Sequence, residues 1–333
     1  MNILFYCPFK FSLKSKNLRS LGGIESLNIE LAKFLSKSKH NIYLATFCNK
    51  LVKQKKLTNL PINYLIKNLS KFKFDKIISS NDPTIFNIFK FSDKFLWLHN
   101  KLPIEKAFRK KKFFSIIMNS ISSIFVSNYL LKQTTNIYNF KKKIVIPNFL
   151  DSEFDSTKVN FNRKPFFVWS VQRTKGLIEV CNIWKEIFKK DKRVKLFIYG
   201  VDTKKIKTNQ IKEYSNYNIF FMGRVTKKEL IKKYNISMGM FCLGYDETFC
   251  LNAIEAFSCG LPIITFGYTS LSELSKKYNS FIINDFTAIP KIVFKILNLN
   301  SSSRSKIIRY SKNFSRNYSL KKISSAWSRE LKF

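Results

Sequence analysis

The sequence predicts an α/β protein built from two successive Rossmann-like layers. Three observations carry this reading. The chain has 333 residues, too many for one ordinary domain and enough for two. Short apolar runs of strand character alternate with segments of helical periodicity, the pattern of parallel sheets covered by helices. A polar, loop-like run over residues 151–164 ends in Pro165 and separates two such alternations, so the domains are expected at 1–150 and 165–310.

In the first half, NILFYC reads as a strand, followed by a basic loop over residues 10–19 and the pair Gly22-Gly23. A helix is expected from near Ile24, because Ile24, Leu27, Leu31, Phe34 and Leu35 fall on one face. NIYLATF, KIISS, KFLWLHN, IFVSN and KIVIPN supply further strands. Residues 113–131 carry no charge and are flanked by lysines, yet Asn119, Ser120, Ser122, Ser123, Ser127 and Asn128 make a poor membrane span. The expectation there is a helix end, a turn at Ser122–Ser123 and then the strand IFVSN. In the second half FFVWSV, VKLFIYG, NIFFMG and ISMGMFCL are strands, with a helix over residues 176–190. A final helix is expected from about Ser311, with Tyr318, Ile323 and Trp327 as apolar anchors.

Composition narrows the chemistry. Six scattered cysteines without a C-x-x-C pair, and only two histidines, give no zinc ligand set of ordinary spacing. They read as small buried residues of a reducing compartment, so a cytoplasmic location is expected. MNILFYCPFKF lacks the basic leader of a signal peptide. The net charge is +39, from 60 basic and 21 acidic residues. Part of that is the bland effect of a Lys-, Asn- and Ile-rich composition. Residues 1–150 hold 27 basic against 6 acidic residues, so the excess is denser in the first half. Such a field favours anionic partners: sugar nucleotides, acidic lipid surfaces or nucleic acid.

The most informative stretch is ETFCLNAIEAFSCGLPIIT, residues 247–265. Glu247 lies in a turn-like run after an apolar strand, and Glu255 lies inside an apolar helix that Gly260 and Pro262 terminate. The loop offers backbone N–H groups at Phe249, Cys250 and Leu251, where a helix N-terminus can hold a phosphate. A carboxylate at position 255 is costly to bury without partners, and ribose hydroxyls are suitable ones. The run resembles the E-x7-E segment of retaining GT-B glycosyltransferases, the large family 4. The resemblance implies the GT-B fold, two Rossmann-like domains facing a central cleft. It implies that Glu247 contacts the hydroxyls of the donor sugar, that Glu255 contacts the ribose, and that Thr248 lies with its neighbours at the donor. It also implies that the final helix crosses back onto the first domain.

Other residues fit this frame. QRTKGL follows the strand FFVWSV, placing Arg173 and Lys175 at a strand's carboxyl end, where ligands of such sheets bind. Two cations there can hold a diphosphate leaving group. The resembled family places an Arg and a Lys in this loop with four residues between them, whereas here only Thr174 intervenes. Gly22 and Gly23 open the first helix, where glycine lets backbone approach a phosphate or sugar. His99 ends the strand KFLWLH, and the resemblance implies a place near the transferred sugar. Asn100, Asn81 and Asp82 stand at strand ends that could meet an acceptor. Gly223 and Arg224 follow NIFFM, in the loop that the resemblance sets against the nucleobase.

No D-x-D signature stands at a strand end, so the cationic loop is expected to replace a divalent metal ion. The expected function is a retaining, metal-independent glycosyltransferase without cofactor. Its co-substrate is a nucleotide-diphosphate sugar, and its acceptor is a glycan or a lipid-linked molecule of polysaccharide or glycolipid synthesis. KAFRKKKFF, residues 106–114, interleaves Arg109 to Lys112 with Phe108, Phe113 and Phe114, which points to an anionic membrane surface as a further partner. The bland alternative is a solvated basic helix with its phenylalanines in the core. Two rivals stand beside the transferase: a sugar-nucleotide epimerase on a similar fold, and a non-catalytic basic module for membrane or nucleic acid. The epimerase wants acid–base residues around the donor sugar, and one candidate histidine is few. Retention of Glu247, Glu255 and Arg173 argues against the second rival and so against nucleic acid.

Overall fold

The computed structural model describes residues 1–14, 21–170, 176–201 and 208–332. The chain divides into two compact units. The first comprises Met1–Asp151 with Leu320–Phe333, and the second Ser152–Ser319.

Among its described residues the first unit holds an eight-stranded sheet. The strands are β1 (Asn2–Tyr6), β2 (Asn41–Thr46), β3 (Val52–Gln54), β4 (Leu57–Pro61), β5 (Lys76–Ser80), β6 (Asp93–Leu98), β7 (Ile121–Phe125) and β8 (Lys142–Val145). Their order is β3-β4-β2-β1-β5-β6-β7-β8. All pairs are parallel except β3–β4, a hairpin at one edge that the apolar runs do not signal. The chain winds outward from β1 through β2, then returns to the other side of β1 at β5. That reversal makes a crevice at the carboxyl ends of β1 and β5, the usual ligand position in open α/β sheets.

The Gly23–Leu35 helix starts one residue earlier than its apolar face suggests, and Leu27, Ile29, Leu31, Ala32 and Leu35 are buried. Residues 113–131 differ from expectation. Helix Phe113–Ile117 is followed by β7, which runs through Ser122 and Ser123 without a turn, and Ser127 caps the helix Asn128–Lys132. Serines sit in a central strand at little cost when bonded. Ser123 is fully buried, and its hydroxyl donates to the Lys142 carbonyl at 3.3 Å. The C-terminal region also differs. Helix Ser301–Ser315 ends in a short 3-10 turn, Arg316–Tyr318, and a separate helix, Leu320–Leu331, belongs to the first unit. Its Trp327 is fully buried and meets Trp97 of β6 edge-on, with ring centroids 4.8 Å apart. Such a pair adds about 0.5–1.5 kcal/mol to the burial itself.

The second unit has six parallel strands among its described residues: β9 (Phe166–Trp169), β10 (Lys195–Tyr199), β11 (Ile219–Gly223), β12 (Gly239–Phe241), β13 (Ile263–Thr265) and β14 (Ser280–Ile282). Their order, β11-β10-β9-β12-β13-β14, reverses between β9 and β12. Its core gathers Phe167, Trp169, Trp184, Ile198, Phe241 and Ile264 with the buried face of helix Leu177–Lys190. The polar run before Pro165 is not a free connector. Phe154, in the short helix Ser152–Asp155, is buried against Tyr234, and the Asn160 N–H donates to Asn235 at 3.2 Å. Arg163 donates to the carbonyls of Tyr234, Ser237 and Cys259 at 2.7, 3.3 and 2.7 Å. One guanidinium thus closes the C-terminal ends of two helices, Lys227–Ile236 and Leu251–Ser258. Gly260 is needed beside it. Its φ of +69° suits glycine, and a Cβ there would stand 2.6 Å from Ile308 and 2.9 Å from the Arg163 guanidinium.

Candidate donor-binding site

The second unit assembles the densest set of expected site residues. Strand β12 delivers residues 242–250 at its carboxyl end, beside the switch in strand order. Cys250 turns the chain with φ +36° and forms the N-cap of helix Leu251–Ser258 without a side-chain cap. The Leu251 and Asn252 N–H groups of its first turn have no intrahelical acceptor, and the helix dipole favours an anion there. The Cys250 thiol touches Cys242 and is buried, and these push its pKa well up, so it remains a neutral thiol.

Glu247 is half-buried, and its carboxylate folds against Gly244. A Cβ at position 244 would lie 2.7 Å from Glu247 Cγ and 2.9 Å from Oε1, so a glycine is what lets this side chain lie flat. Its carbonyl accepts from both the N–H (3.2 Å) and the hydroxyl (2.9 Å) of the fully buried Ser270. Thr248 is half-buried, and Phe249 is buried with its ring on Tyr318. Glu255 stands one turn into the helix. It is half-buried, on the stripe with Leu251 and Asn252, while Ala253, Ile254, Ala256 and Phe257 face the core. The cost of burying a carboxylate is therefore smaller than the apolar sequence around it implies. Its charge lies near Tyr234, whose phenol is pushed well up, first by burial and then by Glu255. The Asn252 amide donates to the Ser170 carbonyl, tying the start of this helix to the end of β9. Sequence reasoning missed Asn252, Ser270 and Tyr318. An asparagine in the first turn of a helix was the one available hint.

Arg173 and Lys175 lie outside the described residues. Gly176, which follows them, is the N-cap of helix Leu177–Lys190 with φ +87°, and a Cβ there would press on the Phe286 ring at 3.1 Å. Gly223 ends β11 with φ +61°, and a Cβ there would meet nothing within 4 Å. Its carbonyl accepts from the Gly200 N–H at 2.8 Å, and Arg224 is exposed.

The remaining expected residues belong to the first unit. Gly22 is the N-cap of helix Gly23–Leu35, and Glu25 folds back over it; a Cβ on Gly22 would lie 2.6 Å from the Glu25 carboxylate. The anion nearest this helix start is therefore the chain's own. His99 is 5% exposed, and its ring lies tilted against Trp97 with centroids 4.4 Å apart. Burial pushes its pKa down to about 3, so the imidazole is neutral and cannot act as an imidazolium acid near neutrality. The backbone N–H of His99 donates to the Asn81 side-chain oxygen at 2.8 Å, and Asn81 takes φ +58°. Lys112 turns inward to the Asn81 carbonyl (2.6 Å) and the Asp82 carboxylate (3.6 Å). It therefore leaves the solvent-facing basic run, which keeps Arg109, Lys110 and Lys111. Among the described residues no three His, Cys, Asp or Glu side chains cluster as metal ligands.

Residues 151–314 match the family model of glycosyl transferases group 1. The fold is similar to that of WaaG, described as a glycosyltransferase involved in lipopolysaccharide biosynthesis: TM-score 0.74, 12% identity, 98% of this chain and 98% of that one covered. It is similar to a sucrose-phosphate synthase of Thermosynechococcus elongatus, with TM-score 0.74, 13% identity and coverage of 99% and 98%. It is similar to Alr3699/HepE of Anabaena, solved in complex with UDP and glucose, with TM-score 0.70, 14% identity and coverage of 100% and 99%. At these identities the likeness is one of fold, and the fold is GT-B. No curated protein matches the chain in sequence.

Proposed function

We propose a donor, a mechanism and an acceptor class for what its group 1 domain and GT-B fold make a glycosyltransferase. The donor is a nucleotide-diphosphate sugar, and transfer is retaining and independent of metal. The observation that carries this is the loop and helix start at the β9–β12 switch. There two half-buried glutamates flank a helix N-terminus whose cap residue offers it no side chain. The helix start binds the diphosphate, and Thr248, Phe249, Cys250 and Leu251 present backbone to it. Glu247 orients the donor sugar, and Glu255 accepts from the ribose. Arg173 and Lys175 stabilise the departing diphosphate. Gly223 and Arg224 meet the base, and Gly22, Gly23 and the neutral His99 meet the transferred sugar.

The bond from the sugar's anomeric carbon to the diphosphate breaks as the acceptor oxygen bonds on the same face. The acceptor's proton passes to the departing phosphate oxygen, so no protein base is required. The relative solved with UDP and glucose makes UDP-glucose the first donor to try. Thermal shift against a panel of nucleotide sugars should give one that raises the melting point, since a ligand of the native state stabilises it. Glu255→Ala should weaken that ligand about tenfold or more while the apo melting point holds, as loss of a charged hydrogen-bond acceptor does. Unchanged affinity would remove Glu255 from the ribose site.

The acceptor is a glycan or lipid-linked molecule, met at an anionic membrane surface. In support, Phe108, Phe114 and Met118 are 46%, 61% and 80% exposed beside Arg109, Lys110 and Lys111. Each basic residue near such a surface contributes about 1 kcal/mol. The wild type should float with anionic vesicles at low salt, and a variant with those three basic residues changed to Gln should not. A wild type that stays in the soluble fraction would point to a soluble acceptor. Among the described residues no helix is long and apolar enough to cross a membrane.

A further inference from the structure

The loop that carries Glu247 is held from two sides by residues outside it. On one side is the turn after β13. Ser270 gives both its N–H and its hydroxyl to the Glu247 carbonyl, and its own carbonyl accepts from the Glu273 N–H at 3.1 Å. Thr269, just before it, takes φ +61°, a conformation costly for a β-branched residue. On the other side is the segment 316–319. The Phe249 ring meets Tyr318 at 5.8 Å and 63°, and Tyr318 in turn meets Phe314 at 5.7 Å. Phe314 packs edge-on at 5.7 Å against Phe257, on the helix that begins at Leu251. The turn holds the loop at Glu247, and the aromatic column holds it at Phe249. Burial, and then the charge of Glu273, push the Tyr318 phenol up to about 12, so it is a neutral hydroxyl.

We propose that Tyr318 is a positioning residue of the glycosyl-transfer reaction, fixing the Glu247–Leu251 backbone through its ring, which meets both Phe249 and Phe314. The proposal rests on the donor reading above. A displacement of about 1 Å at such a loop can cost a hundredfold in rate, so a support of this kind has leverage far beyond its own contact. The duty falls on the ring, which holds Phe249. Tyr318 also stands two residues before Leu320, where the chain passes to the first unit.

Hydrogen exchange tests this without a donor. The Ala253 and Ser270 amides bond to the Cys250 and Glu247 carbonyls at 3.0 and 3.2 Å and so report whether the loop stays in place. Tyr318→Ala should speed exchange at both about tenfold, with β9 and β10 unchanged. Tyr318→Phe, which keeps the ring, should leave exchange at both amides close to the wild type. Unchanged exchange at both amides in Tyr318→Ala overturns the proposal. Faster exchange across the whole second unit also overturns it, because Tyr318 would then be a packing residue. UDP and GDP are the second probe. The one that binds should slow exchange at Ala253 in the wild type, and Tyr318→Ala should weaken it about tenfold, with Tyr318→Phe restoring most of the affinity. If neither nucleotide binds the wild type, the donor reading fails while the exchange result still decides whether Tyr318 supports the loop.

Discussion

Arg163→Ala is expected to lower the unfolding free energy by about 3 kcal/mol or more. The guanidinium donates to three carbonyls at two helix ends, and each buried acceptor left without a donor costs about 1–3 kcal/mol. Its charge also offsets the negative ends of two helix dipoles. Burial lowers its pKa to about 10, so it stays charged at neutral pH and the loss is that of a cation. Arg163→Lys should recover only part of the stability, because one ammonium cannot reproduce a planar fork reaching both helix ends. Urea unfolding monitored by tryptophan fluorescence measures this. A loss of less than about 1 kcal/mol would mean that water replaces the guanidinium without difficulty.

Arg173→Ala should reduce turnover about a hundredfold or more at saturating donor, the usual size for removal of a group that stabilises developing charge. Its position in the sequence, shortly after β9, the switch strand of the second sheet, motivates this. EDTA should leave the wild-type rate nearly intact if, as proposed, the cationic loop takes the part a divalent ion would otherwise play. A strict requirement for added Mg²⁺ or Mn²⁺ would contradict that mechanism. A small effect of Arg173→Ala with intact nucleotide binding would shift leaving-group stabilisation to Lys175 and to the helix N-terminus at Leu251.

The alternation of strands and helices made the two α/β layers legible, because an apolar run of five or six residues followed by a helical stripe has few other solutions. The candidate donor loop stood out for a different reason. Glu255 among Ala, Ile and Phe is a local inconsistency, and such inconsistencies concentrate at functional sites. What was not legible depends on contacts distant in sequence. Arg163 looks like one basic residue among many until Tyr234 and Cys259 come to it. Lys112 looks like the end of a basic run until it meets Asp82, seen nowhere in local pattern. Ser122 and Ser123 resemble a turn because the neighbours that satisfy them, at residues 142 and beyond, are remote. The start of the last helix was set too early, because Tyr318 reads as one more apolar anchor when its ring belongs with Phe249 and Phe314.

The first unit is discontinuous, and this orders its maturation. Residues 152–319 form one uninterrupted stretch and can complete their sheet as they emerge from the ribosome. The sheet of residues 2–145 is synthesised earlier but lacks Trp327 against Trp97 until the Leu320–Leu331 helix arrives. The half made first is therefore finished last. A chain truncated after Ser319 should resist protease over its second half while its first half is still being cut.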